Sequence, residues 1–296
     1  MEQVNPETLG LNPAQLARIS EHLRSRYIDP GKLPGSVTLV ARYGRVGLLD
    51  VVGHSDLERG TPMSADTIFR IYSMSKPITS VALMMLFERG LFALEDPVHR
   101  FIPEWRNLAV RTAGAFPLFA TAPCERPMTM RDLLRHTSGL TYDFLRESNL
   151  DYAYRKLQIG NPAPGYTLKH MIDQLAQLPL EFSPGTRWNY SLATDVLGYL
   201  IEVISGQSLP DFLQEHLFGP LGMVDTAFNI TPDKVHRLAS CYERDAAKKL
   251  VCNDDGQNSQ FRDRVFWSGG GGLLSTAGDY FRFCQMLLQG GTVDDV

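Results

Sequence analysis

Ser73 and Lys76 are the residues whose types and spacing first point to chemistry. Ser73-Met74-Ser75-Lys76 is the one S-x-x-K in the chain. Residues three apart at a helix start project from one face, so hydroxyl and amine meet. The helix N-terminus adds partial positive charge and free backbone N–H groups beside the hydroxyl. A serine needs a base to act as a nucleophile at neutral pH. An amine serves as that base once burial and neighbouring positive charge disfavour its protonated form. Pro77 is tolerated there because the first helical turn has no partner for its N–H. A bare match of this kind also describes an ordinary helix start, with Ser73 or Ser75 capping and Lys76 solvated. Its context argues otherwise. Ile68-Phe69-Arg70-Ile71-Tyr72 reads as an extended lead-in, an apolar helix follows, and a lysine at the head of a buried helix is costly unless used or paired.

The elements that must position this pair can be read in outline. Asn12 caps a first helix, with Pro13 in its first turn, Gln15 at capping-box spacing and Leu16, Ile19 and Leu23 on one face. Ser36–Tyr43 and a second run through Val52, turning at Gly44, read as an antiparallel hairpin. From Met74 helices are expected: one to Gly90, then over Met130–Arg135, Leu168–Leu178, Thr194–Ile204 and Pro210–Leu217. Loops at Asn161–Gly165 and Ser183-Pro184-Gly185 separate them. Strand-like segments return at Leu238–Glu243 and Lys249–Cys252. The run Gly269–Gly272 precedes a last helix capped by Thr276 or Ser275 and ended by Gly290-Gly291. Strands, then helices, then strands imply an α/β sheet domain interrupted by a helical one.

The segment Ile71-Tyr72-Ser73-Met74-Ser75-Lys76-Pro77-Ile78-Thr79 resembles the nucleophile segment of the class C β-lactamase-related serine hydrolases. That family includes esterases, D-alanyl-D-alanine peptidases and acyltransferases. Asp132-Leu133-Leu134-Arg135-His136-Thr137-Ser138-Gly139-Leu140, Phe182-Ser183-Pro184-Gly185, Tyr190-Ser191 and Pro220-Leu221-Gly222-Met223-Asp225-Thr226 follow in the family's order, from about Leu9 to Gly291. The resemblance implies the β-lactamase/transpeptidase-like fold: an antiparallel sheet flanked by helices, plus a mostly helical domain. Its domains are expected as 1–72, the first part of the sheet domain; 73–236, mostly helical and carrying the motifs; and 237–296, a return to the sheet domain with a last helix.

The resemblance also implies a third catalytic residue, Tyr190, whose phenol would pass a proton between serine and leaving group. β-Lactamases of this group carry an asparagine two residues beyond that tyrosine; here stands Leu192, which cannot hydrogen-bond a lactam's amide side chain. Ester substrates fit better. No Lys-Thr-Gly, Lys-Ser-Gly or His-Thr-Gly is present, although Trp267-Ser268-Gly269 is similar to the W-x-G of some esterases. The sheet's terminal strands are therefore expected to be missing, and with them half of the oxyanion hole; losing one such donor costs about 10²–10³ in rate. Leu192, Tyr142, Trp267 and Gly270 are the substrate-binding candidates. Tyr142-Asp143-Phe144 with Tyr152 and Tyr154 would line an acyl pocket or simply pack.

Other chemistry is disfavoured. His136 reads as a turn histidine satisfied by backbone rather than as a triad base. Asp254-Asp255 and Asp294-Asp295 read as solvated loop carboxylates, and no histidine pairing indicates zinc, so no metal or cofactor is expected. The glycine run lacks a following Lys-Ser/Thr, and Gly53-His54-Ser55-Asp56-Leu57 fails the G-x-S-x-G nucleophile elbow. The 296 residues are 44% apolar and 21% charged with a net charge of -4, an ordinary globular composition with no basic field for nucleic acid. Val81–Phe87 is far too short to span a membrane. The N-terminus shows no secretory pattern, and Cys124, Cys241, Cys252 and Cys284 stand apart, so a reducing cytoplasm is expected. The expectation is a serine esterase or acyltransferase acting on a small ester. A β-lactamase or D-alanyl-D-alanine carboxypeptidase, and a catalytically silent binding homologue, are the alternatives.

Overall fold

The computed structural model describes residues 3–161 and 163–292. The Asp294-Asp295 pair lies outside them, as does Pro162 within the Asn161–Gly165 loop. The chain opens with α1 (Pro13–Leu23), β1 (Gly35–Arg42), β2 (Arg45–Asp56), β3 (Thr61–Pro62) and β4 (Phe69–Arg70). Then come α2 (Ser75–Glu88), β5 (Ala109–Ala115), β6 (Leu118–Pro123), α3 (Met130–Leu134), α4 (Asn149–Leu157), α5 (Leu168–Leu175), α6 (Ala193–Ser205) and α7 (Leu209–Leu213). The single turn α8 (Gly219–Leu221), β7 (Cys241–Arg244), β8 (Leu250–Asp254), β9 (Leu274–Ser275) and α9 (Ala277–Leu288) complete it.

The described residues form two compact units, one within 3–70, 218–263 and 274–292, the other within 71–161, 163–217 and 264–273. In the first unit β1, β2 and β3 form an antiparallel sheet in that order, with Gly35 opposite Gly53 and Leu39 opposite Leu49. Asn12 caps α1 by accepting from the N–H groups of Ala14 and Gln15. The capping box is not closed there, because the Gln15 carboxamide accepts from Arg18 instead. Ile68, Ile230, Leu238, Phe261 and Leu274 make a buried cluster beside the short β4–β9 pairing. Thr276 caps α9 through the Asp279 N–H.

The second unit is mostly helical. On α2 the residues Ile78, Ala82, Leu83 and Leu86 are buried, a one-sided pattern set by the 3.6-residue period. On α6 burial goes all round the N-terminal half, from Ala193 to Gly198, and continues at Leu200 and Ile201. Of the features longer than a single turn or two-residue strand, the β5–β6 hairpin and α4 were not foreseen from the sequence. The antiparallel hairpin β5–β6 interrupts the helical stretch, its weak Ala-, Gly- and Thr-rich alternation masking a strand pattern. Helix α4 is announced only by its cap, in which Ser148 and Asp151 bond reciprocally to each other's backbone.

Candidate active site

The segment entering α2 departs from the expected strand at Tyr72, whose φ of 43° is left-handed. Ile71 still pairs, donating its N–H to Leu273 O, and then the chain turns sharply. A 3₁₀ turn over Tyr72–Met74 follows, so Ser73 stands on the turn just before α2, not within the helix. Its side chain is exposed, whereas Lys76, in the first turn, is half-buried.

Ser75 and Thr79, one turn apart on α2, tie down the glycine run. The buried Ser75 Oγ accepts from Leu273 N–H (3.2 Å), and Thr79 Oγ1 donates to Gly269 O (2.9 Å). Gly269 is wedged between helices: a Cβ there would lie 2.7 Å from Thr194 O on α6 and 2.9 Å from Thr79 Cγ2 on α2. Only glycine allows that approach. The run thus lays Gly270 against Lys76.

Tyr190 arrives by a different route. The stretch 136–141 runs beside the stretch 181–192 through main-chain hydrogen bonds. Glu181 N–H donates to Gly139 O, Gly185 N–H to Thr137 O, Asn189 N–H to His136 O and Leu192 N–H to Thr141 O. The Asn189 carboxamide adds a bond to Leu140 O. Asp132 anchors the first stretch: it closes the capping box of α3, receives a two-pronged contact from Arg126 and accepts from Thr137.

At the meeting point Tyr190 OH lies 2.6 Å from Ser73 Oγ. Lys76 Nζ donates to Ser73 Oγ (3.3 Å), Tyr142 OH (3.1 Å) and Gly270 O (2.7 Å). An ammonium has three protons, so all three are placed. The same charge sits 4.7 Å from the Tyr190 ring centre and 5.4 Å from that of Tyr142. Both rings offer their electron-rich faces to it.

The structure therefore brings together Ser73, Lys76, Tyr190, Tyr142 and Gly270. Tyr142 and Gly270 were expected at a substrate surface, but both turn polar groups to the lysine, and the Gly270 N–H is taken by Asp195 Oδ1 (3.1 Å). Leu192 is buried at the head of α6, where its methyls pack against Gly160. Trp267 is half-buried in the segment leading to the glycine run.

Two further neighbours, Asp195 and His136, complete the surroundings, and the first was missed in the sequence. Asp195, buried on α6, accepts from Ser268 Oγ and from Gly270 N–H. Burial pushes its carboxyl up, while Ser268, Lys76 and Gly270 pull it back. Burial, then the Asp195 carboxylate, raises the Tyr142 phenol well above the usual range, so it stays protonated. The sequence did carry a signal for Asp195: a lone acid inside Ala193-Thr194-Asp195-Val196-Leu197. His136 has its backbone satisfied as read, but its ring faces the Ser191 hydroxyl (3.2 Å) and lies 5.0 Å from the Tyr190 ring. Burial, aided by the Lys76 charge, lowers it to about 4. It is neutral at ordinary pH.

A β-lactamase fold carrying a serine, a lysine and a tyrosine in mutual contact defines the class. The chain belongs to the β-lactamase family, whose profile matches residues 22–295. It is 41% identical to an uncharacterized protein of Mycobacterium tuberculosis over 90% of this chain and 65% of that one. It is 33% identical to Esterase EstB of Burkholderia gladioli over 96% of this chain and 73% of that protein. Among solved structures, EstCE1, described as a hydrolase with promiscuous acyltransferase activity, superposes with a TM-score of 0.80 at 30% identity. That match covers 96% of this chain and 74% of the other. The chain thus spans about two thirds to three quarters of these relatives' lengths, 65% for the first.

Proposed function

We propose that the protein is a serine hydrolase that cleaves, or transfers the acyl group of, small carboxylic esters through an acyl-Ser73 intermediate. The single observation that carries this is the 2.6 Å contact of Ser73 Oγ with Tyr190 OH while Lys76 holds the same oxygen. Ser73 Oγ would attack the ester carbonyl as its proton passes to the Tyr190 oxygen, which enters that step as the phenolate, its negative charge stabilised by the Lys76 ammonium. The Ser73 backbone N–H, at the head of α2, would hold the carbonyl oxygen as it becomes an oxyanion. Tyr190 would return the proton to the leaving alcohol, and water or a second alcohol would release the acyl group. The names of EstB and EstCE1 support ester chemistry and acyl transfer respectively.

A lactam-cleaving reading is less well supported, because a buried leucine occupies the position after Tyr190-Ser191. No amide can be offered there. The substrate is a small molecule, and no metal or cofactor is invoked. Cys124, Cys252 and Cys284 are free thiols, which supports a reducing, cytoplasmic setting. Among the described residues no helix is long and apolar enough to cross a membrane.

A fluorophosphonate probe, p-nitrophenyl butyrate and a chromogenic cephalosporin test the proposal on the full chain. Labelling of the wild type but not of Ser73→Ala, with faster turnover of the ester than of the lactam, is expected. Tyr190→Phe should lose about 10²–10⁴ in rate, the span of general acid–base catalysis. Absence of labelling in wild type would instead favour a silent homologue, and faster lactam turnover would reverse the substrate class.

A further inference from the structure

Asp195 is 1% exposed in the first turn of a helix whose buried neighbours include Val196, Leu197, Leu200 and Ile201. A carboxylate in such surroundings is destabilising unless donors and a counter-charge meet it. The donors are present: Ser268 Oγ and Gly270 N–H share one oxygen, and the N-terminus of α6 faces the group. The second oxygen lies against Gly270 and on the side of the Tyr142 hydroxyl, for a Cβ on Gly270 would be 2.5 Å from one and 3.0 Å from the other. None of these donors is a cation. Lys76 is, and it grips the same two residues from the opposite side, through Tyr142 OH and Gly270 O.

We propose that Asp195 is the positioning residue for Lys76: it clamps Gly270 and Tyr142 from behind so that their oxygens meet the ammonium, and it supplies the balancing negative charge. The inference rests on the hydrolase reading for its meaning in catalysis, but the Asp195–Lys76 linkage itself can be measured without any turnover. The ionisable groups acting on the pair from other elements are Tyr142, Tyr190 and His136 around Lys76, with Tyr142 and Tyr166 around Asp195. Of these His136 is already neutral above about pH 5, and burial keeps Tyr142 and Tyr166 protonated.

Asp195→Asn keeps the shape and an acceptor for Ser268 and Gly270 while deleting the charge. A unit charge at roughly 6 Å in an effective dielectric of ~20 corresponds to about two pH units. The Lys76 amine in the full-length variant is therefore expected to react with trinitrobenzenesulfonate at pH 7 at least about tenfold faster than in wild type, as read by peptide mass spectrometry. The acidic limb of fluorophosphonate labelling at Ser73 should move down by about one pH unit or more. A purely structural Asp195 would lower the melting temperature and leave both readouts unchanged, and that result overturns the proposal. If wild type takes no fluorophosphonate label, the hydrolase reading fails while the amine arm still decides the linkage. Should Asp195→Asn not fold, Ser268→Ala removes one donor from the same carboxylate oxygen. It should raise amine reactivity in the same direction by about threefold, and a wild-type rate in that folded variant also overturns the proposal.

Discussion

Adjacent glycines in the run beside Lys76 should respond in opposite ways to the same substitution. At Gly270 a Cβ would lie 2.5 Å from Asp195 Oδ2 and 3.0 Å from Tyr142 OH. Ordinary contact begins near 3.4 Å, so about 0.9 Å (3.4 − 2.5) must be found. If Gly270 itself retreats by that distance from the lysine, its 2.7 Å bond to Nζ stretches to about 3.6 Å (2.7 + 0.9), beyond hydrogen-bond range. If Asp195 retreats instead, the bonds from Ser268 and Gly270 to its carboxylate are disturbed. Overpacking of this kind costs about 1–3 kcal/mol. A hydrogen bond to a charged group contributes about 1.5–3 kcal/mol, equivalent to roughly 10- to 100-fold in rate. At Gly271 the nearest atoms to an added Cβ are backbone atoms of Tyr72 at 3.7–3.8 Å, which is ordinary contact. Neither glycine has a left-handed φ, so backbone strain does not enter.

Gly270→Ala should therefore lose 10- to 100-fold in the second-order rate of Ser73 labelling and melt a few degrees lower, at about 2–4 °C per kcal/mol. Gly271→Ala should stay within about threefold of wild type. Both rates come from the same fluorophosphonate time courses, with thermal melts run in parallel. Equal rates for the two variants would refute the reasoning, because the only structural difference invoked is the neighbour each methyl meets.

Two further outcomes follow from charges held near the site. His136 is pushed down to about 4 by burial and then by Lys76, whereas an unfolded histidine titrates near 6.5. The unfolded chain thus binds the extra proton first, so the stabilisation is full above pH 6.5 and is lost as pH falls towards 4; solvent screening of this part-exposed ring keeps it to about 1–2 kcal/mol. Urea midpoints at pH 7.5 and 4.5 should show that loss in wild type and much less of it in His136→Gln. Burial opposes the ionised form of Asp132, yet Arg126 and Thr129 hold its carboxyl below the usual range. Asp132→Ala opens the α3 capping box, strands Arg126 and removes the anchor of Thr137, and a destabilisation of about 2–4 kcal/mol is expected from denaturant melts.

The sequence was most informative where local rules suffice. The hairpin from Gly35 to Asp56, the apolar face of α2 and the caps at Asn12 and Thr276 are each written within a few neighbouring residues. The Ser73–Lys76 contact was legible for the same reason, although the hydroxyl sits on the turn before the helix. The β5–β6 hairpin was not legible, since Ala109–Ala115 has no strong alternation and takes its pairing from Leu118–Pro123 and from Leu180 alongside. Tyr142 and Gly270 were named for the substrate side of the site, and their contact with Lys76 was not foreseen. Their side chain and carbonyl answer to the lysine, and nothing in the spacing from 76 to 142 or 270 reveals it.

Tyr190 shows why such distant partners stay hidden. Its hydroxyl reaches Ser73 because the stretch from Glu181 to Leu192 is fastened to 136–141 by main-chain N–H and C=O groups, which every residue type other than proline provides. Side-chain identity there matters mainly where the backbone needs help: Asn189 adds an amide bond to Leu140 O, and Asp132 steadies Thr137. A substitution that disturbs this pairing would move the phenol without touching serine, lysine or tyrosine. At a 2.6 Å contact even a displacement of about 1 Å breaks the proton path, because transfer requires hydrogen-bond distance. The chemistry proposed for the site thus depends as much on an unremarkable stretch of paired backbone as on the three side chains that would carry it out.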